Sequence, residues 1–208
     1  VGSRAVHRND LGAFGEQPTD VDLIEAFADL AFLRDSLEGA EFVLALAIEK
    51  VPSELGLVLF FDAAHREYVV VCQRGGRASL LCRRVPESSP LICPGIASGQ
   101  TTIAVDPAAM AQDERWDVLG ANPTSILVAP VQAGGQPLGV LEVLNPIGGG
   151  TYREADCKTV TVIAERFARF VASRGVIVDA RSICRSVPPS NLASIGAQAC
   201  GPARFRQS

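Results

Sequence analysis

Between residues 125 and 174 the spacing of apolar positions changes from that of a strand to that of a helix. Ser125 to Val131 (SILVAPV) and Leu138 to Leu144 (LGVLEVL) are apolar runs of strand length. Gly134-Gly135 between them predicts a hairpin, and Pro130 predicts a bulge or an edge position. From Ala155 the apolar residues recur at helical spacing, through Val160, Ile163, Ala164, Phe167, Ala168 and Val171. Thr151-x-x-Glu154 just ahead of them predicts a capping box that opens this helix. The helix is expected to cover the sheet face near the hairpin.

Upstream, the same spacing predicts the rest of a sheet. A helix capped at Thr19 or Asp20 carries Leu23, Ile24, Phe27, Leu30, Ala31 and Leu37, and Phe32 and Leu33 widen its apolar stripe. That width fits a helix buried on two sides within one subunit, or one buried partly against another chain. Gly39 is expected to break the pattern, and a second helix runs from Glu41 to Lys50 before Pro52. Leu55 to Phe61 (LGLVLFF) predicts a central strand, Tyr68 to Cys72 the next, and Ala78 to Arg84 a more polar strand nearer an edge. In the proline-rich middle, 85–124, the expectation is a short helical turn near Ile92 to Gly99 and a strand at Thr101 to Val105. A helix capped by Asp106 follows, running to about Trp116. Turns join neighbouring strands, so the fold class is α+β with a mostly antiparallel six-stranded sheet. Residues 1–18 read as a flexible arm, 19–175 as the domain and 176–208 as a flexible or partner-ordered tail.

Composition narrows the function. A net charge of −4 gives no electrostatic reason to expect nucleic acid. No apolar run has the length of a membrane span, and the N-terminus lacks a signal peptide's apolar region. These features predict a cytoplasmic protein. The six cysteines form no C-x-x-C pair and the two histidines lie far from one another, so no metal site and no cofactor are expected. The cysteines read as reduced, mostly buried fillers. No phosphate-binding loop, nucleophile elbow or zinc-protease motif is present. Gly148-Gly149-Gly150 reads as a flexible connector.

In their order, several stretches resemble the GAF domain family. They are Ala47 to Asp62, Pro94 to Val105 (PGIASGQTTIAV), Asp106 to Trp116 ending Asp-Glu-Arg-Trp, and Ser125 to Asp156. The resemblance spans about Ala26 to Ser173. It implies N- and C-terminal helices packed on one sheet face, with short helices and loops on the other. It also implies a small-molecule sensory or regulatory module that forms dimers through its terminal helices. Cyclic-nucleotide-binding members carry Asn-Lys, Phe and Asp-Glu. Here Asn145 and Asp156 stand, but Pro146, Tyr152 and Cys157 replace the other three. Bilin-binding members attach the chromophore to a Cys beside a His, and neither Cys82 nor Cys93 has one. Free-methionine sulfoxide reductases place their nucleophile in a loop that corresponds to Leu119–Ser125, which holds no cysteine.

Two functions follow from the resemblance. A ligand-free module would act in signal transduction as a homodimer and hold another signalling protein. Its dimer interface is expected at Phe32, Leu33, Val162 and Phe170, since helical periodicity leaves Val162 and Phe170 off the core stripe. A metabolite sensor would instead line a cavity with Phe61, Val70, Ile96, Trp116 and Val128. Arg115, Asn122, Thr124 and Glu142 would supply its polar contacts. Trp116 either floors such a cavity or plugs the middle segment onto the sheet, and the plug is the simpler reading. Glu142, alternating with Leu141 and Val143, points away from the helix-side core. Neither function needs catalytic residues. A thiol redox enzyme using Cys82 or Cys93 is the remote third.

Overall fold

The computed structural model describes residues 20–120 and 123–174. The arm at 1–18 and the tail at 176–208 lie outside them. Among the described residues, six helices and six strands occur in the order α1 (Asp20–Leu30), α2 (Ser36–Lys50), β1 (Ser53–Asp62), β2 (Glu67–Gly75), β3 (Arg84–Pro86), α3 (Cys93–Ser98), β4 (Thr102–Ala104), α4 (Pro107–Met110), α5 (Arg115–Leu119), β5 (Ile126–Ala133), β6 (Gln136–Pro146) and α6 (Glu154–Arg174). The strands form one sheet in the order β3-β2-β1-β6-β5-β4, and every pairing is antiparallel. The expected α+β architecture is the one observed. Pro130 sits on β5 beyond the three residues that pair with β4, where the strand has a ladder partner on one side only.

β1 and β6 are apolar on both faces because both faces are covered. On one face, Val43, Leu44 and Ala47 of α2 and Val160, Ile163 and Phe167 of α6 meet Val58, Phe60, Leu141 and Val143. The rings of Phe60 and Phe167 stack 6.0 Å apart. On the other face, α3, α4, α5 and their loops pack Ile92, Met110 and Trp116 onto Leu57, Val70, Val128 and Val140.

Four boundaries differ from expectation, each for a local reason. The first two helices separate at residues 31–35, not at Gly39. Asp35 caps α2 by accepting from the amides of Leu37 and Glu38 at 2.9 and 3.0 Å. Gly39 lies inside α2 because a Cβ there would stand 2.5 Å from the ring of Phe170. The close approach of α2 and α6 outweighs glycine's helix penalty of about 1 kcal/mol.

Residues 78–83 are not a strand. The Gln73 side chain donates to the carbonyls of Gly75 and Ala78 and accepts from Leu80 N–H at 2.6 Å. Cys82 adopts φ 66° and its N–H donates to the Val70 carbonyl at 2.9 Å, and the regular ladder with β2 starts at Arg84. The helix expected from Asp106 to Trp116 is two, α4 and α5. Met110 and Trp116 are six residues apart, about 240° around a continuous helix, so both reach the sheet only if the helix breaks. Asp113 turns the chain between them, accepting from Arg115 N–H.

The last helix begins at Glu154, and Thr151 makes no cap. Instead Arg153 N–H donates to Asp156 Oδ2 at 2.7 Å. Tyr152 is buried, and its hydroxyl donates to Ser53 Oγ at 2.9 Å, which draws the chain inward before the helix starts. Gly148, Gly149 and Gly150 all have positive φ, between 82° and 100°, and a Cβ on any of them would touch nothing. Conformation rather than space therefore demands glycine there.

At the β1–β2 turn, Asp62 accepts from His65 Nδ1 at 2.9 Å and from Arg84 Nη1 at 3.2 Å. Burial alone would raise the Asp62 carboxyl pKa. The hydrogen bonds from His65 and Arg84 outweigh burial and hold it below its ordinary value. A depressed carboxylate contributes stability that is present above its unfolded pKa, about 4, and lost as pH falls through the folded value. Asp62→Asn should therefore flatten the fall in melting temperature below about pH 4. Melting curves across acid pH check this, and identical acid limbs would contradict it.

Candidate functional site

The second sheet face carries the candidate site. Alternation along β6 places Val140, Glu142 and Leu144 on this face and Leu141 and Val143 on the helical one. Glu142 lies mid-sheet, in register with Leu57 of β1 and Val128 of β5. It is fully buried, and a carboxylate there needs a partner.

Arg115 at the start of α5 is that partner. Its Nη1 donates to Glu142 Oε2 at 2.7 Å and its Nη2 to Oε1 at 3.2 Å. Nε reaches both Asp113 oxygens at 3.0 Å, and Nη2 donates to Asp113 Oδ2 at 2.6 Å. One guanidinium thus holds two carboxylates, and it lies 4.6 Å over the Trp116 ring. Burial alone would lower Arg115's pKa, but Glu142 and Asp113 hold it raised, so it stays a cation. Burial pushes the Glu142 carboxyl up, and Arg115 opposes that push.

Of the proposed cavity residues, Val70, Trp116 and Val128 share one buried apolar cluster, and Arg115 and Glu142 meet beside it. Phe61 is half-buried at the cluster's edge, its ring 5.0 Å from that of Tyr68. Ile96 is half-buried, and its carbonyl accepts from Gln132 of β5. Thr124 is not with them. It is exposed, and its N–H and Oγ1 donate to Asn145 Oδ1 at 2.8 and 3.2 Å. Asn122 lies outside the described residues.

Asp113, which the sequence did not single out as a site residue, is the third member of the buried charge group. The signal for it was local: an acid two residues before an arginine, at a helix start. A polar cleft of about 490 Å³ beside this group, lined in part by Arg83, Arg84, Ser88, Gln112 and Arg115, had no counterpart in the sequence reading.

On the helical side, Phe32 is 84% and Val162 37% exposed, while Leu33 is half-buried against the core. Phe170 departs from expectation. It is only 8% exposed, covered within its own chain by α2 at Gly39 and by the Arg174 guanidinium at 5.3 Å.

The cysteines also differ from the expected uniform set of reduced thiols. Cys82 is disulfide-bonded. Cys72 is buried, and burial pushes its thiol up to about 11, far from a reactive thiolate. Cys93 is exposed at the start of α3.

The family model described as GAF domain matches residues 35–172. The chain belongs to the GAF domain family. Among solved structures, this GAF domain is similar to that of an Acinetobacter phosphoenolpyruvate-protein phosphotransferase. The TM-score is 0.60 at 12% identity, over 74% of this chain and 95% of that one. It is similar to a free methionine-R-sulfoxide reductase of Neisseria meningitidis, with TM-score 0.59 and 17% identity, over 73% and 87%. It is also similar to the GAF-B domain of DevS from Mycobacterium smegmatis, with TM-score 0.54 and 19% identity, over 73% and 98%. No match was found among curated proteins. At these identities the shared property is the fold alone. No helix among the described residues is long and apolar enough to cross a membrane.

Proposed function

We propose that this GAF domain is a non-catalytic regulatory module that works in signal transduction by pairing with a second copy of itself. The pair then holds another signalling protein. The packed centre of the second sheet face supports this reading: Trp116, Arg115 and Glu142 are all buried there. Asn145, which also stands in the cyclic-nucleotide pattern, is spent on Thr124 and Glu54.

The helical face offers the pairing surface. Val162, Arg166, Arg169 and Ser173 follow one another at helical spacing along α6. Arg166, Arg169 and Ser173 line a groove of about 440 Å³ against Phe27 and Leu30 of α1. Along α1 a second hollow of about 440 Å³ carries Glu25, Asp29 and Glu49, with Lys50 paired to Glu49 at 3.0 Å. Basic groove and acidic hollow flank the same helix, so a two-fold pair can set each against the other. Ile24, 62% exposed on α1, and Val162 add apolar area. The double substitution Ile24→Glu with Val162→Glu should turn dimers into monomers without lowering the melting temperature. Light scattering after gel filtration reads this, and a persisting dimer would place the interface elsewhere.

A further inference from the structure

Six cysteines stand in the chain, four of them among the described residues. Cys72, Cys93 and Cys157 are free thiols, and Cys82 is disulfide-bonded. Elimination leaves Cys184 and Cys200 as the cysteines that can pair with it, and both follow the last helix. Cys82 is placed for a bond that reaches outward. Gln73 holds the 78–83 segment off the ladder through Gly75, Ala78 and Leu80. The Cys82 N–H donates to the Val70 carbonyl at 2.9 Å, and its φ of 66° is one that few residues with a Cβ adopt. The residue is held in place by these contacts, and it is half-buried rather than sunk in the core as Cys72 is.

We propose that Cys82 anchors a redox-sensitive tether that ties the C-terminal segment, 176–208, back to the β2–β3 end of the sheet. Cys184 stands ten residues after Arg174 and Cys200 twenty-six. Ten extended residues reach about 33–36 Å, the width of a small domain. The shorter link also costs less closure entropy, which favours Cys184. The segment carries Arg181, Arg185, Arg204 and Arg206 against a single acid, Asp179, so opening the bond releases a basic stretch of chain. A low-molecular-weight disulfide is the oxidant that closes the bond. One protein thiolate attacks it and expels a small thiol, and the second protein thiolate then displaces the other. The two small thiols carry away the two electrons and two protons, and two small thiols reverse the exchange. The tether lies within one chain, so it stands or falls independently of self-association.

Peptide mapping tests the tether. The protein is equilibrated with an excess of a small disulfide, quenched in acid, alkylated in denaturant and cut with trypsin. Cleavage after Arg77, Arg83, Arg181, Arg185 and Arg204 puts Cys82, Cys184 and Cys200 on separate peptides. The expected mass spectrum joins the Cys82 peptide to that of Cys184 or Cys200 in a monomeric chain, and leaves Cys72, Cys93 and Cys157 outside any protein link. Reduction by a small thiol should lower the melting temperature by about 5 °C or more, because the bond closes a loop of about 100 residues. Cys82→Ser should abolish that shift. The double variant Cys184→Ser with Cys200→Ser should abolish it too, and it carries the test if Cys82→Ser misfolds, since it alters no described residue. A free thiol or a small-molecule adduct at Cys82, a link from Cys82 to Cys93 or to a second chain, no shift in wild type, or a shift that persists in the double variant would each overturn the tether. Gel filtration of the same samples reports on pairing separately.

Discussion

Arg115→Ala is expected to destabilise the domain by about 3–5 kcal/mol, among the largest effects of any single substitution. The guanidinium is 2% exposed and is the cation for two buried carboxylates. Removing it leaves Glu142, fully buried at the centre of β6, without a counter-charge. Glu142 must then take up a proton or stay charged in an apolar layer, and both cost free energy. The sign of the pH dependence follows. Burial already raises the Glu142 carboxyl, and loss of Arg115 raises it further. A carboxyl with a raised folded pKa costs most where the unfolded chain would be ionised, above about pH 4. The deficit of the Arg115→Ala variant should therefore shrink as the solution is acidified. Urea denaturation at several pH values checks both size and slope. The double variant Arg115→Met with Glu142→Leu should recover most of the loss, since an apolar pair can replace a buried ion pair. A loss below about 1 kcal/mol for Arg115→Ala would mean that the pair is solvated, as surface pairs are.

Trp116→Ala should cost a similar amount, about 3–5 kcal/mol, by leaving a cavity under α5. Trp116 is 1% exposed, the largest fully buried side chain among the described residues, and it supports the Arg115 guanidinium from below. Its indole N–H has no acceptor among the described residues, so Trp116→Phe removes an unsatisfied donor along with some volume. The Phe variant should therefore lose much less than the Ala variant. Added indole should raise the melting temperature of Trp116→Ala and leave wild type unchanged, because only the variant has room for it. Equal responses in the two proteins would show that the sheet face is already open.

Much of this architecture is legible in the chain. The apolar runs at Leu55–Phe61 and Leu138–Leu144 locate the two central strands because both of their faces are buried, which leaves few polar residues to obscure the pattern. The alternation around Glu142 correctly sends its side chain to the second face. The choice of partner was not legible. Arg115 and Glu142 are 27 residues apart on elements that meet only after the sheet forms, and no local periodicity links them. Gly39 misled for a related reason. A helix-breaking residue is locally unfavourable, and only the ring of Phe170, brought in by α6, explains its place. Phe170 itself lies off the α6 core stripe, yet the same contact buries it. The 78–83 segment failed as a strand because one side chain, Gln73, holds it in another path.

The central claim, a closed domain that works by pairing, is tested most directly by native mass spectrometry of freshly purified protein. Subunit count and any retained small molecule are read in one spectrum. A dimer with the mass of two bare chains is the predicted result. A monomer, or a subunit carrying extra mass that leaves on denaturation from a site under α5, would contradict the account and return this domain to the metabolite sensors.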